Sequence, residues 1–179
     1  MTTLDTLLQR NQDFAAQHFD ATLPMRPTLQ TMIIGCADPR VDPVHVLGLT
    51  PGEAVVLRNV GGRITPGTLQ LMRMLTSGVP ADGGHGFTLI VLQHTNCGIV
   101  HMAAHPALLT DYFGIAAEEL AAKAVTDPRA AVAVDVATLR ANPILPGGWT
   151  LVGLLYDTAT GHMEVVVPPA PLREDEVHV

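Results

Sequence analysis

The chain has two cysteines, and each stands where an apolar run stops. Met32-Ile33-Ile34 runs into Gly35-Cys36-Ala37-Asp38-Pro39-Arg40, and Phe87-Thr88-Leu89-Ile90-Val91-Leu92 runs into Gln93-His94-Thr95-Asn96-Cys97-Gly98. Such apolar runs predict strands buried on both faces, as in a parallel sheet covered by helices. A sheet of that kind gathers its ligands at the carboxyl ends of its strands, beside the point where strand order reverses. If the two strands are neighbours there, Cys36, Asp38, His94 and Cys97 converge despite their distance along the chain.

The remaining pattern supports the same architecture. Residues 3–19 read as an amphipathic helix carrying Leu4, Leu7, Leu8, Phe14 and Phe19, ended by Pro24 and Pro27. Its apolar stripe must cover either its own domain or a neighbouring subunit. A first strand is expected over 28–35 and a short helix over Pro43–Leu47. A second buried strand over Ala54–Arg58 precedes a glycine-bearing loop over Asn59–Arg63 and a helix from Thr65-Pro66 to Thr76. Residues 78–86 read as a loop, Gly98–Ala104 as the start of a helix, and Tyr112–Val125 as an alanine-rich helix. Asp127-Pro128 caps a further helix to about Arg140. Thr150–Tyr156 and Met163–Val167 form a hairpin across Asp157–Gly161, and the proline-rich 168–179 reads as a loose tail. The expectation is one α/β domain over 1–179, its mostly parallel central sheet flanked by helices and closed by an antiparallel C-terminal edge hairpin.

Composition narrows the function. With 47% hydrophobic and 15% charged residues over 179 positions, the chain is apolar for a soluble monomer, so a homo-oligomer, dimer or tetramer, is expected. A net charge of -7 argues against nucleic acid or an anionic membrane as partner. No apolar run reaches the roughly 18 residues that a membrane span needs, and no secretory pattern opens the chain, so a cytoplasmic location is expected. In a reducing cytosol, two cysteines in polar, glycine-flanked settings point to metal binding or catalysis rather than a disulfide.

Two thiolates and an imidazole are a common zinc set, with the fourth position closed by a carboxylate or open to water. Asp38 has two possible roles, as that fourth ligand or as the partner of the Arg40 guanidinium, which is suited to gripping a carboxylate with two bonds.

Cys36-Ala-Asp38-Pro-Arg40, Gly52-Glu53-Ala-Val-Val-Leu-Arg58-Asn59-Val60-Gly61-Gly62 and His94-Thr-Asn-Cys97-Gly98 together resemble the beta-class carbonic anhydrases in order and spacing, over roughly residues 28–105. The resemblance implies zinc (Zn2+) held by Cys36, His94 and Cys97, with Asp38 and Arg40 as a catalytic dyad. It implies reversible hydration of carbon dioxide to bicarbonate and a proton by zinc-bound hydroxide, in a site built at a dimer interface. By motif position Val55 and Val60 would line the substrate pocket, Gly98 would help hold bicarbonate, and Arg58 and Asn59 would shape the loop. Ile33 stands where regulated members carry a tryptophan, so their bicarbonate inhibition is not expected. His-Thr-Asn-Cys with Asn59-Val-Gly-Gly is also similar to a small subgroup that includes hydrolases of carbonyl sulfide and carbon disulfide, which use the same zinc site.

Overall fold

The structure, a computed structural model, describes residues 1–77, 86–143, 145 and 147–173. The loop expected over 78–86, except Gly86, and residues 174–179 of the expected tail lie outside the described residues.

Among these residues one sheet runs in the order β2-β1-β3-β4-β5. Its strands are β1 (Thr31–Cys36), β2 (Ala54–Asn59), β3 (Thr88–His94), β4 (Thr150–Tyr156) and β5 (Met163–Pro171). The first four are parallel, and β5 returns antiparallel to β4. The chain leaves β1 toward β2 on one side and comes back as β3 on the other, so strand order reverses at β1 and the switch point lies between β1 and β3. Burial explains why these runs are strands: Met32, Ile33 and Ile34 are at most 2% exposed, and Leu89 and Val91 are fully buried.

Helices α1 (Thr3–Gln17), α2 (Pro43–Val46), α3 (Pro66–Thr76), α4 (Pro106–Phe113) and α5 (Pro128–Arg140) connect or flank the strands. Helix starts follow local chemistry: Thr2 and Asp5 close a capping box on α1, Thr65 caps α3 and Asp127 caps α5, with Pro66 and Pro128 in the first turns. The main core packs Met32, Ile34, Met72, Leu89, Val91 and Trp149 with Val132, Val136 and Leu139 of α5. A second cluster joins Cys36 and Cys97 to Val41, Ile99, Leu109 and Phe113.

Several expectations need correction. The first strand begins at Thr31 rather than at 28, because Gln30 turns back to Pro27 with φ 47. Thr28 and Leu29 still donate to the Gly52 and Glu53 carbonyls. The second strand is half-buried rather than buried because it forms the sheet edge. The helix expected over Tyr112–Val125 is two pieces: α4 ends at Gly114 with φ 63, and Ala117–Lys123 winds as a 3-10 helix. Gly98–Ala104 is likewise 3-10 rather than α-helical. The expected loose tail is wrong up to Arg173. Strand β5 continues through Pro168, Pro169 and Pro171, Leu172 donates to the Trp149 carbonyl at 2.7 Å, and its side chain is 1% exposed. Prolines are tolerated there because an edge strand needs its amide donors on one side only.

Helix α5 rests on β4 at Gly153, where an added Cβ would lie 2.5 Å from Val132 Cγ1 and 3.2 Å from Val136 Cγ2. Gly153→Ala is therefore expected to destabilise the fold by about 1–3 kcal/mol. The measurement is urea unfolding, with a lower midpoint and an unchanged slope.

Candidate metal centre

Cys36 is the last residue of β1, His94 is the last residue of β3, and Cys97 follows after a tight turn through Asn96 at φ 53. The two sulfurs lie 3.7 Å apart although 61 positions separate them. The ligand atoms of Cys36, His94 and Cys97 all fall within 4.8 Å of one another, and all three side chains are buried.

Three observations test whether a zinc ion suits this set. With Zn–S bonds of about 2.3 Å, a tetrahedral centre places two sulfurs about 3.8 Å apart, close to the separation here. The His94 Nδ1 faces the Thr95 carbonyl at 2.9 Å, while its buried Nε2 has no hydrogen-bond partner among the described residues. A ring fixed by one nitrogen and idle at the other is how metal-ligating histidines are held. The thiols are also electrostatically incomplete. A proton shared across the gap draws the first ionisation down, and the resulting thiolate drives the second up. Burial opposes a charge on the imidazole, but the Cys36 sulfur and the Thr95 carbonyl outweigh it and raise the His94 pKa. A divalent cation satisfies all three groups, so the residues fit zinc.

The Asp38 amide donates to the Cys36 sulfur at 3.4 Å, and its carboxylate is held by Arg40. Arg40 donates from Nε to Oδ1 at 3.0 Å, from Nη2 to Oδ2 at 2.6 Å and from its backbone amide to Oδ1 at 2.9 Å. These bonds hold the Asp38 carboxyl well below the usual carboxylate range. Of the two roles left open by the sequence, the geometry displays the pairing with Arg40. Arg40 Nη2 also donates to the Asn96 carbonyl at 3.1 Å, so one side chain joins the two loops that carry the sulfurs.

The loops are braced from below. Arg58 donates to the carbonyls of Cys36 and Asp38 at 2.9 and 2.8 Å and to Asp42 at 2.6 Å. The Asn59 side chain bonds the Arg63 amide and carbonyl. Both therefore shape the loop. Gly62, at φ 64, enters between the strand ends so closely that a Cβ would lie 2.9 Å from the Leu92 carbonyl oxygen and 3.0 Å from the Cys36 nitrogen. Only a residue without a side chain fits there.

The expected pocket residues stand in different settings. Val60 is 51% exposed on the loop after β2, and Gly98 has open space where a Cβ would stand. Val55 instead packs against the main core, four residues before the metal end of β2. Sequence reasoning missed Tyr112, whose hydroxyl donates to the Val60 carbonyl at 2.8 Å, and the buried pair Arg63–Asp135 at 2.7 Å. The signal for the pair was an acid on the buried stripe of α5, between Val132 and Leu139, which requires a cation opposite it.

A cluster of two cysteines and one histidine at the switch point of a parallel sheet defines a metalloenzyme-type site. Comparison with known proteins is more specific. The family model described as carbonic anhydrase matches residues 31–126. Beta-carbonic anhydrase 1 of Mycobacterium tuberculosis is 31% identical over 173 residues, which cover 94% of this chain and 100% of that protein. The solved carbonic anhydrase of Streptococcus mutans superposes with a TM-score of 0.72 at 28% identity, over 93% of this chain and 99% of that one. A carbon disulfide hydrolase of an Acidianus strain is 24% identical over 182 residues, covering 88% of this chain and 85% of that protein. The chain belongs to the beta-carbonic anhydrases, a family of zinc-dependent lyases.

Burial pushes the Tyr112 phenol up to about 12. A raised phenol pKa contributes stability that is fully present below the ordinary value near 10 and is lost as pH rises through about 12. Ultraviolet titration of the native protein is expected to show a phenol ionising near pH 12 that is absent from Tyr112→Phe.

Proposed function

We propose that this protein catalyses reversible hydration of carbon dioxide to bicarbonate and a proton, at zinc held by Cys36, His94 and Cys97. The observation that carries this reading is the buried, partnerless Nε2 of His94 grouped within 4.8 Å with two sulfurs 3.7 Å apart, with the Arg40-held carboxylate of Asp38 two residues after Cys36. Zinc bound there supplies a Lewis acid that brings the pKa of water to about 7.

The chain's own residues do the rest. Asp38 stays ionised through the neutral range, so it acts as a hydrogen-bond acceptor and would orient the attacking oxygen by accepting a hydrogen bond from it. Arg40 keeps both carboxylate oxygens in register and, through Asn96, keeps them in register with Cys97. Val60 offers an apolar surface to a linear, nonpolar substrate, and the open space at Gly98 leaves room for the bicarbonate product. We assign Val55 no contact with substrate. The likeness to a carbon disulfide hydrolase supports a second reading, hydrolysis of carbonyl sulfide or carbon disulfide at the same residues. Assays of all three substrates on one preparation separate the two, because sulfide release faster than carbon dioxide hydration favours the hydrolase.

We further propose a homo-oligomer, dimer or tetramer, in which α1 covers a neighbouring subunit. The helix has no buried residue, and Leu4, Leu7 and Leu8 are 63%, 55% and 54% exposed on it. No helix among the described residues is long and apolar enough to cross a membrane, and two free thiols suit a reducing cytoplasm.

Elemental analysis is expected to find zinc in the parent protein and in Asp38→Ala, and none in His94→Ala. Asp38→Ala is expected to lose about 10²-fold or more in turnover; wild-type turnover in that variant would contradict the role given to Asp38. Leu7→Glu combined with Leu8→Glu is expected to lower the mass seen by light scattering, whereas an unchanged mass places the interface elsewhere.

A further inference from the structure

Behind the metal centre lies a charged cluster that the proposed chemistry does not use. Arg63, Asp135 and Gln93 are 1%, 0% and 3% exposed. One carboxylate oxygen of Asp135 accepts from Arg63 Nε and from Gln93 Nε2, each at 2.7 Å. The Arg63 guanidinium also donates to the Lys123 carbonyl at 2.6 Å and lies 4.9 Å from the centre of the Phe113 ring. As a source of stability this is a poor arrangement. Desolvating two charges offsets most of their attraction, and apolar replacements of similar volume are often neutral or stabilising. The remaining Arg63 nitrogen, Nη1, has no hydrogen-bond partner among the described residues, which adds to the cost.

What the cluster is tied to explains it better. The ladder between β1 and β3 runs from Thr31↔Thr88 only to Ile34↔Val91. Beyond that point β3 keeps its pairing with β4 as far as His94↔Tyr156, while the gap toward β1 is filled by Gly62. Sheet hydrogen bonds therefore do not set the distance between the ends that carry Cys36 and His94. A wedge of backbone sets it: Asn59 ties the wedge to the end of β2, and the Arg63 side chain, next to Gly62, ties it to α5. Gln93, the residue before His94, is held by the same Asp135 oxygen. One buried carboxylate on α5 thus fixes both the wedge and the strand end on its far side.

We propose that Asp135 is a positioning residue for the metal centre: by gripping Arg63 and Gln93 together it sets the spacing of His94 from Cys36 and Cys97, and with it the affinity for zinc. This inference rests on the zinc site proposed above. The test uses full-length protein, with zinc affinity measured by chelator competition, the absorption spectrum of the cobalt-substituted form, and thermal unfolding of the metal-free form. Asp135→Asn is expected to weaken zinc binding about 10-fold or more, the range for partners outside the ligands themselves, and to shift the cobalt spectrum. Arg63→Met with Asp135→Leu removes both charges at once; it is expected to unfold no more easily than the parent when metal-free, yet to keep the loss of zinc affinity. Parent-like affinity and cobalt spectrum in the double variant would make the cluster merely structural and overturn the proposal, whether or not Asp135→Asn folds. A parent protein that binds no zinc contradicts the zinc site itself. A parent that binds zinc while both variants bind it equally well contradicts only the role of Asp135.

Discussion

Strands β1 and β3 run side by side from Thr31↔Thr88 to Ile34↔Val91 and then part, and the candidate metal-binding residues meet where they part. Pairing two parallel strands so far apart in sequence needs a long crossover, but loop-closure entropy grows only slowly with length. Burial of Met32, Ile34, Leu89 and Val91 between layers drives the pairing. Once β1 and β3 are aligned, Cys36 and His94 stand at the same edge of the sheet, and the tight turn at Asn96 brings Cys97 to within 3.7 Å of Cys36. The core thus brings the three candidate ligands together without a disulfide between them.

Three arginines brace what the strands leave open, each differently. Arg40 grips Asp38 with two nitrogens and reaches Asn96, linking the two ligand loops at the surface. Arg58 takes two carbonyls of the first loop and the Asp42 carboxylate. Arg63 is buried and anchors the glycine wedge to α5. Each relies on the planar fork of a guanidinium, so lysine is not an equivalent replacement at these positions.

Much of this was legible in the sequence because it is local. Apolar runs ending in cysteine and histidine gave the strands and the candidate ligands that meet at their ends, and Asp127-Pro128 gave the start of α5. The glycines marked Asn59–Arg63 as a loop, and Gly62 uses that freedom for a close backbone approach. Other features depend on partners that a local reading does not see. Ala117–Lys123 is rich in helix formers, yet Gly114 takes a left-handed conformation and the chain resumes as 3-10. The prolines of β5 looked like a loose tail because nothing in their own stretch reveals β4 alongside. Val55 matches a motif position, but its place in β2 packs it, partly buried, against the main core. The Arg63–Asp135 pair spans 72 positions and involves an acid that lies beyond the residues matched by the family model.

The account stands on three side chains meeting at one ion. Zinc-edge X-ray absorption on protein prepared without chelators tests that directly. The expected spectrum is one zinc per chain, bound by two sulfurs and one imidazole nitrogen with a lighter oxygen donor completing the shell. A protein free of metal, or a zinc environment lacking the two sulfurs, would contradict it.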